Sequence, residues 1–246
     1  MTGNNLGVRA IILAGGRGRR LEPYTSVLPK PLMPVGDRAI VEITVDRLVA
    51  SGISDITLCV GHLAHLIEAL LNGRPRSATL TYVHESAPLG TAGPLRLVSG
   101  LDGTFVLMNG DLLTDLDFRE LVELHRRTGN VVTISTHQRK HVADYGVLHV
   151  EPGESPRLIR YDEKPESALT VSMGIYVMEP EVLRYIPDGR YFDFPELVQV
   201  LLDENKQVGT FPFTGFWLDI GRRDDYEQAL AHMESEQPRV SAANPS

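Results

Sequence analysis

The chain has 246 residues and a single cysteine, Cys59. A lone cysteine closes no internal disulfide, and its apolar setting "ITLCV" reads as a buried small side chain, so the fold must rest on an apolar core in a reducing compartment. No apolar run approaches the roughly 20 residues of a membrane span, and the opening "MTGNNLGVRA" lacks the apolar region of a signal peptide. A soluble cytoplasmic protein without a membrane partner is expected. Basic charge is also scarce: 24 Lys and Arg against 32 Asp and Glu leave a formal net charge of −8. That sign is wrong for coating a phosphate backbone, so no nucleic-acid partner is expected, and any bound anion must be met by a local basic cluster. There is no internal repeat, no low-complexity block and no Ser/Gly-rich linker. One domain over residues 8–236 is expected, followed by a disordered tail over 237–246.

Short β-rich runs alternate with helical periods. The runs are 10–13, 55–60, 78–84, 104–111 and 131–136, and between them lie helical patterns at 39–52, 63–73, 92–100 and 117–129. Several of these patterns end in Gly, which tolerates the left-handed conformation of a helix C-terminus. Repeated strand–helix order implies a largely parallel sheet covered on both faces, a three-layer α/β/α arrangement, with ligands beyond the carboxyl ends of the strands. After about residue 140 shorter strands take over, with helices near 181–186, 194–205 and 223–234. This stretch reads as a β-rich subregion folded onto the first part.

The segment "AIILAGGRGRRLEPYTSVLPKPLMPVG", residues 10–36, leaves an apolar strand for a glycine loop rich in positive charge. Pro23, Pro29, Pro31 and Pro34 forbid the helix that a dinucleotide fingerprint would start here, and no Gly-Lys-Ser/Thr follows to make a P-loop. What remains is an irregular loop in which the amides of Gly15, Gly16 and Gly18 can approach phosphates, with Arg17, Arg19, Arg20 and Lys30 supplying charge. By itself the loop is equally readable as a solvated basic face.

The whole stretch resembles the signature of sugar-1-phosphate nucleotidylyltransferases, Gly-Gly-x-Gly-Thr-Arg-Leu-x-Pro-x-Thr followed by Pro-Lys-Pro, here "GGRGRRLEPYT" and "PKP", with Arg19 in place of the usual Thr. Further segments follow in the family's order: "PLGTAGPL" (88–95), "NGD" (109–111), "DYGVL" (144–148), "EKP" (163–165), "VSMGIYV" (171–177) and "FWLDIGRRDDY" (216–226). The resemblance implies a Rossmann-like nucleotidyltransferase fold with a β-rich sugar-binding subregion, and a transfer from a nucleoside triphosphate to a sugar 1-phosphate. It implies Leu13, Ala14, Gly15, Gly16, Gly18, Arg20, Gly90, Thr91 and Gly110 as nucleotide-binding and Arg20, Lys30 and Asp111 as catalytic. Tyr145, Gly146, Glu163, Lys164 and Gly174 would bind the sugar phosphate, and Asp111 and Asp219 the metal. Magnesium is expected, since it prefers oxygen ligands and bridges phosphates with one or two carboxylates. "GTAGPL" is similar to the segment of mannose-1-phosphate guanylyltransferases, which favours GTP with a mannose- or heptose-type acceptor. Transfer to a cyclitol or polyol phosphate, or a non-catalytic nucleotide-sugar-binding role, stands as the alternative. A C-terminal β-helix or acyltransferase domain is not expected, and whether the protein is a homo-oligomer is left open.

Overall fold

A computed structural model describes residues 5–221 and 223–236; the expected tail over 237–246 lies outside the described residues. In chain order the elements are β1 (Arg9–Ala14), a small pair β2 (Pro34–Val35) and β3 (Arg38–Ala39), α1 (Ile40–Ala50), β4 (Asp55–Val60), α2 (Ala64–Asn72) and β5 (Thr79–His84). They continue with β6 (Phe105–Asn109), β7 (Leu112–Thr114), α3 (Phe118–Thr128), β8 (Val132–Val142), β9 (Val147–Glu151), β10 (Arg157–Asp162) and β11 (Glu166–Met178). The last are α4 (Phe194–Asp203), β12 (Val208–Phe213), β13 (Trp217–Asp219) and α5 (Arg223–Glu236).

The central sheet has the order β12-β8-β11-β6-β1-β4-β5. All neighbours pair in parallel except β11, which runs against both β6 and β8, so the mostly parallel sheet expected from the strand–helix alternation is present. Its central strands β1, β4 and β6 are buried and apolar along most of their length because both faces are covered. In β1, Ala10, Ile12 and Ala14 face the layer built from α1, α2 and α3, while Ile11 faces the layer that holds α4. Local signals set the helix ends: Asp117 accepts from the Arg119 N–H at 2.8 Å to cap α3, and Gly129 closes it at φ 65°.

Two expectations change. Residues 92–100 form only a 3-10 segment, Gly93–Leu97, because the Ala92 and Gly93 N–H groups both donate to Phe192 O at 3.0 Å and a neighbouring loop takes the place of a further helical turn. The β-rich stretch is not folded onto the sheet; β8, β11 and β12 complete it. Only the outer parts of β8 and β11 leave it, where buried side chains give way to the exposed "QRKHV" and "ESALT", and the hairpin β9–β10 links them. No helix among the described residues is long and apolar enough to cross a membrane.

The proline-rich segment is held without regular structure of its own. It makes three 3-10 turns, Arg19–Leu21, Tyr24–Ser26 and Lys30–Leu32. Its Leu21, Met33 and Val35 enter a third apolar cluster with α1 and Ala229 of α5, and the Tyr226 hydroxyl donates to Pro34 O.

Candidate active site

Four parallel strands, β5, β4, β1 and β6, deliver their carboxyl ends to one edge. Glycine 15 follows β1, Gly61 follows β4, Glu85 follows β5, and Gly110 with Asp111 follows β6. A cleft of about 720 Å³ lies along that edge, lined by Gly15, Gly16, Gly18, Arg17, Glu85, Gly90 and Thr91 among others. A second cavity of about 200 Å³ adjoins it and holds Ala14, Arg20, Lys30, Gly110 and Asp111, with Leu13, Gly16, Gly18 and Asp111 shared between the two. The nucleotide-loop residues and the basic residues expected from the sequence are thus brought together. The side chain of Arg19 lies outside the described residues.

Asp111 and Asp219 meet through a strand pair that the sequence pattern does not announce. Asp219 ends β13, which is not a strand of the central sheet; it pairs antiparallel with β7 so that Asp219 lies opposite Leu112, and the Ile220 N–H donates to Asp111 O at 3.1 Å. The Lys30 ammonium is ion-paired with Asp111 and lies 3.8 Å from Asp219 Oδ1. Burial and then the charge of Asp111 push the Asp219 carboxyl above the usual carboxylate range, against the opposing pull of Lys30 and Arg20. Asp111 Oδ1 is buried with no hydrogen-bond partner. An orphaned carboxylate oxygen beside a second carboxylate fits a hard divalent cation. Among the described residues no cluster of three or more His, Cys, Asp or Glu side chains gathers for a metal, so such a cation would need phosphate or water oxygens for its other positions.

Two residues of the cleft escaped sequence reading. Glu85 lies against Gly15, where a Cβ would stand 3.1 Å from its Cδ, and accepts from the Leu89 N–H at 3.2 Å. Its carboxyl is raised by burial and partly relieved by that hydrogen bond. Asp193 accepts from the Thr91 N–H at 2.9 Å, the Thr91 hydroxyl at 3.1 Å and the Tyr191 hydroxyl at 2.7 Å, which ties the loop carrying Gly90 to the start of α4. Glu85 was findable from its place at a strand's carboxyl end. Asp193 was hidden because "DFPE" reads as an ordinary helix start.

Of the expected sugar-phosphate residues, Gly174 sits at the bulge of β11 with φ 73°, next to the Asn109 side chain at the end of β6. Tyr145, Gly146, Glu163 and Lys164 lie on the projecting β-arm and line neither cavity. Trp217 joins the two regions: its indole N–H donates to Met173 O at 3.0 Å, and the Arg139 guanidinium stands 4.9 Å from its ring centre.

A family model described as "Nucleotidyl transferase" matches residues 9–236. The chain is 34% identical over 227 residues to the mannose-1-phosphate guanyltransferase of Aspergillus oryzae, a match covering 89% of this chain and 62% of that protein. It is 34% identical over 244 residues to the UTP–glucose-1-phosphate uridylyltransferase of Synechocystis sp., covering 91% of this chain and 62% of that one. The chain therefore spans 62% of the length of either relative. A crystal structure from Bacillus anthracis, provisionally named a glucose-1-phosphate thymidylyltransferase, superposes with a TM-score of 0.74 at 25% identity, covering 94% of this chain and 97% of the other.

Proposed function

The chain belongs to the nucleotidyl transferase family, and on that premise we propose that it transfers a nucleoside monophosphate from GTP to a mannose- or heptose-type sugar 1-phosphate, releasing pyrophosphate. The observation that carries this reading is the convergence of Lys30, Asp111 and Asp219 at the mouth of the glycine loop. A phosphate oxygen of the acceptor attacks the α-phosphorus in line. The bond from that phosphorus to the bridging oxygen breaks, and pyrophosphate leaves with the electron pair. Two polyanions must meet, so the protein's task is positioning and charge stabilisation. The amides of Gly15, Gly16 and Gly18 cradle the phosphates, Lys30 offsets charge at the α-phosphate, and Arg20 offsets charge on the departing pyrophosphate. Asp111 and Asp219 would hold magnesium, which when bound supplies positive charge to the phosphate oxygens. Glu163 accepts from sugar hydroxyls and Lys164 pairs with the sugar phosphate.

Glu85 supports guanine. A carboxylate only accepts, and guanine is the base whose pairing edge offers two adjacent donors, N1–H and N2–H. Uracil and thymine offer one donor flanked by carbonyl oxygens, which a carboxylate repels. A cytoplasmic setting is proposed on the single cysteine, Cys59, which is buried and free.

The test is pyrophosphate release from GTP, UTP, dTTP, CTP and ATP with mannose, heptose and glucose 1-phosphates, for the wild type and Glu85→Gln. The wild type should prefer GTP. The amide, one donor and one acceptor, should cut kcat/KM for GTP by roughly ten- to a hundredfold and improve UTP or dTTP. A pyrimidine preference in the wild type overturns the base, and no release from any pair overturns the activity.

A further inference from the structure

Tyr161 lies next to the last residue of β10 and has no part in the reaction outlined above. Its hydroxyl donates to Glu163 Oε2 at 2.7 Å. Its ring lies against the backbone of Gly146: a Cβ built there would stand 2.9 Å from Tyr161 Cε2 and closer still to Cζ and the hydroxyl oxygen. Gly146 is outside the left-handed region, so its backbone angles do not ask for glycine; the ring does. The strand register sets the approach, because β9 and β10 pair Leu148 with Tyr161 and so bring the residues before β9 beneath the ring. Beyond Glu163, Lys164 holds φ 44°, a conformation that a non-glycine residue keeps only where its surroundings impose it.

A glutamate on an exposed arm has many rotamers, and a ligand that needs one of them pays to freeze it. The Tyr161 hydrogen bond fixes one carboxylate oxygen and thereby aims the other. We propose that Tyr161 is a positioning residue for the sugar subsite: seated on Gly146, it presets the Glu163 carboxylate to accept from the hydroxyls of the sugar phosphate. This rests on the reading of Glu163 as the sugar-hydroxyl acceptor. It also gives Gly146 a defined part, which is to leave room for the ring.

Steady-state kinetics with each substrate varied, together with melting temperatures, test the idea on the full chain. Tyr161→Phe keeps the ring and removes the hydroxyl; it should raise KM for the sugar phosphate roughly three- to tenfold and leave kcat, KM for the triphosphate and the melting temperature unchanged. Gly146→Ala should displace the ring and produce the same sugar-side rise, but add little in a Tyr161→Ala background, where no ring is left to displace. Glu163→Gln separates the two levels of the argument. If it raises KM for the sugar phosphate while Tyr161→Phe does not, the positioning role is wrong and the subsite stands. If Glu163→Gln is itself silent, the subsite reading falls and the inference with it. A Tyr161→Phe protein with lower melting temperature and equal losses for both substrates would make the residue merely structural and overturn the proposal.

Discussion

Arg17 and Arg20 are three positions apart and face different cavities. Arg17 lines the larger cleft with Glu85, whereas Arg20, next to the 3-10 turn's first residue, lines the smaller one with Lys30 and Asp111. Only Arg20 of the two acts on the Asp219 carboxyl, opposing the rise that burial and Asp111 cause. Arg20→Ala should therefore lower kcat on the order of a hundredfold, the scale of losing a preorganised group aimed at developing charge. Arg17→Ala should act mainly on KM for the triphosphate. Equal loss of kcat in the two variants, read from pyrophosphate release at saturating substrates, would contradict this division. The motif arginine was legible because the register of "GGRGRRL" places it. Glu85 directly follows the run 78–84 and could have been read from that place, but a glutamate before Ser86, Ala87 and Pro88 has the look of a solvated turn, and it was passed over.

At one side of the larger cleft the loop carrying Gly90 meets the loop entering α4. Gly90 has φ 83°, and a Cβ there would stand 2.6 Å from Phe192 O and 2.8 Å from Asp193 Oδ1. Neither the angle nor the backbone oxygen can yield cheaply. Gly90→Ala should lower stability by about 1–3 kcal/mol, the range for a strained backbone residue, and raise KM for the triphosphate more than KM for the sugar phosphate. Thermal melts and a two-substrate kinetic series check both; a variant with normal melting temperature and normal KM values would show that the contact is dispensable. The sequence rules located β4 without error and both ends of α3 within a residue, because apolar runs and caps are local signals. They misjudged residues 92–100 and the length of β8 and β11 for one reason. Both depend on partners far along the chain, Phe192 in the first case and the β8–β11 pairing in the second.

For the molecule as a whole, one sheet edge collects a glycine loop, a basic pair and two carboxylates from segments scattered between Leu13 and Asp219. The resemblance singles out Asp111 and Asp219 by their family segments. The structure brings them together by the antiparallel pairing of β7 with β13, a two-strand contact too short to leave a pattern in the sequence. The central claim is that this pair works as one cation-holding unit, and replacing either carboxylate by the isosteric amide tests it most directly. Pyrophosphate release as a function of magnesium, with melting temperatures, is measured for the wild type, Asp111→Asn, Asp219→Asn and the double variant. Each single variant should keep its melting temperature and lose on the order of a hundredfold in magnesium-dependent kcat, and the double variant should lose little more than the worse single one. Near-normal turnover in either single variant, with the fold intact, would contradict the account.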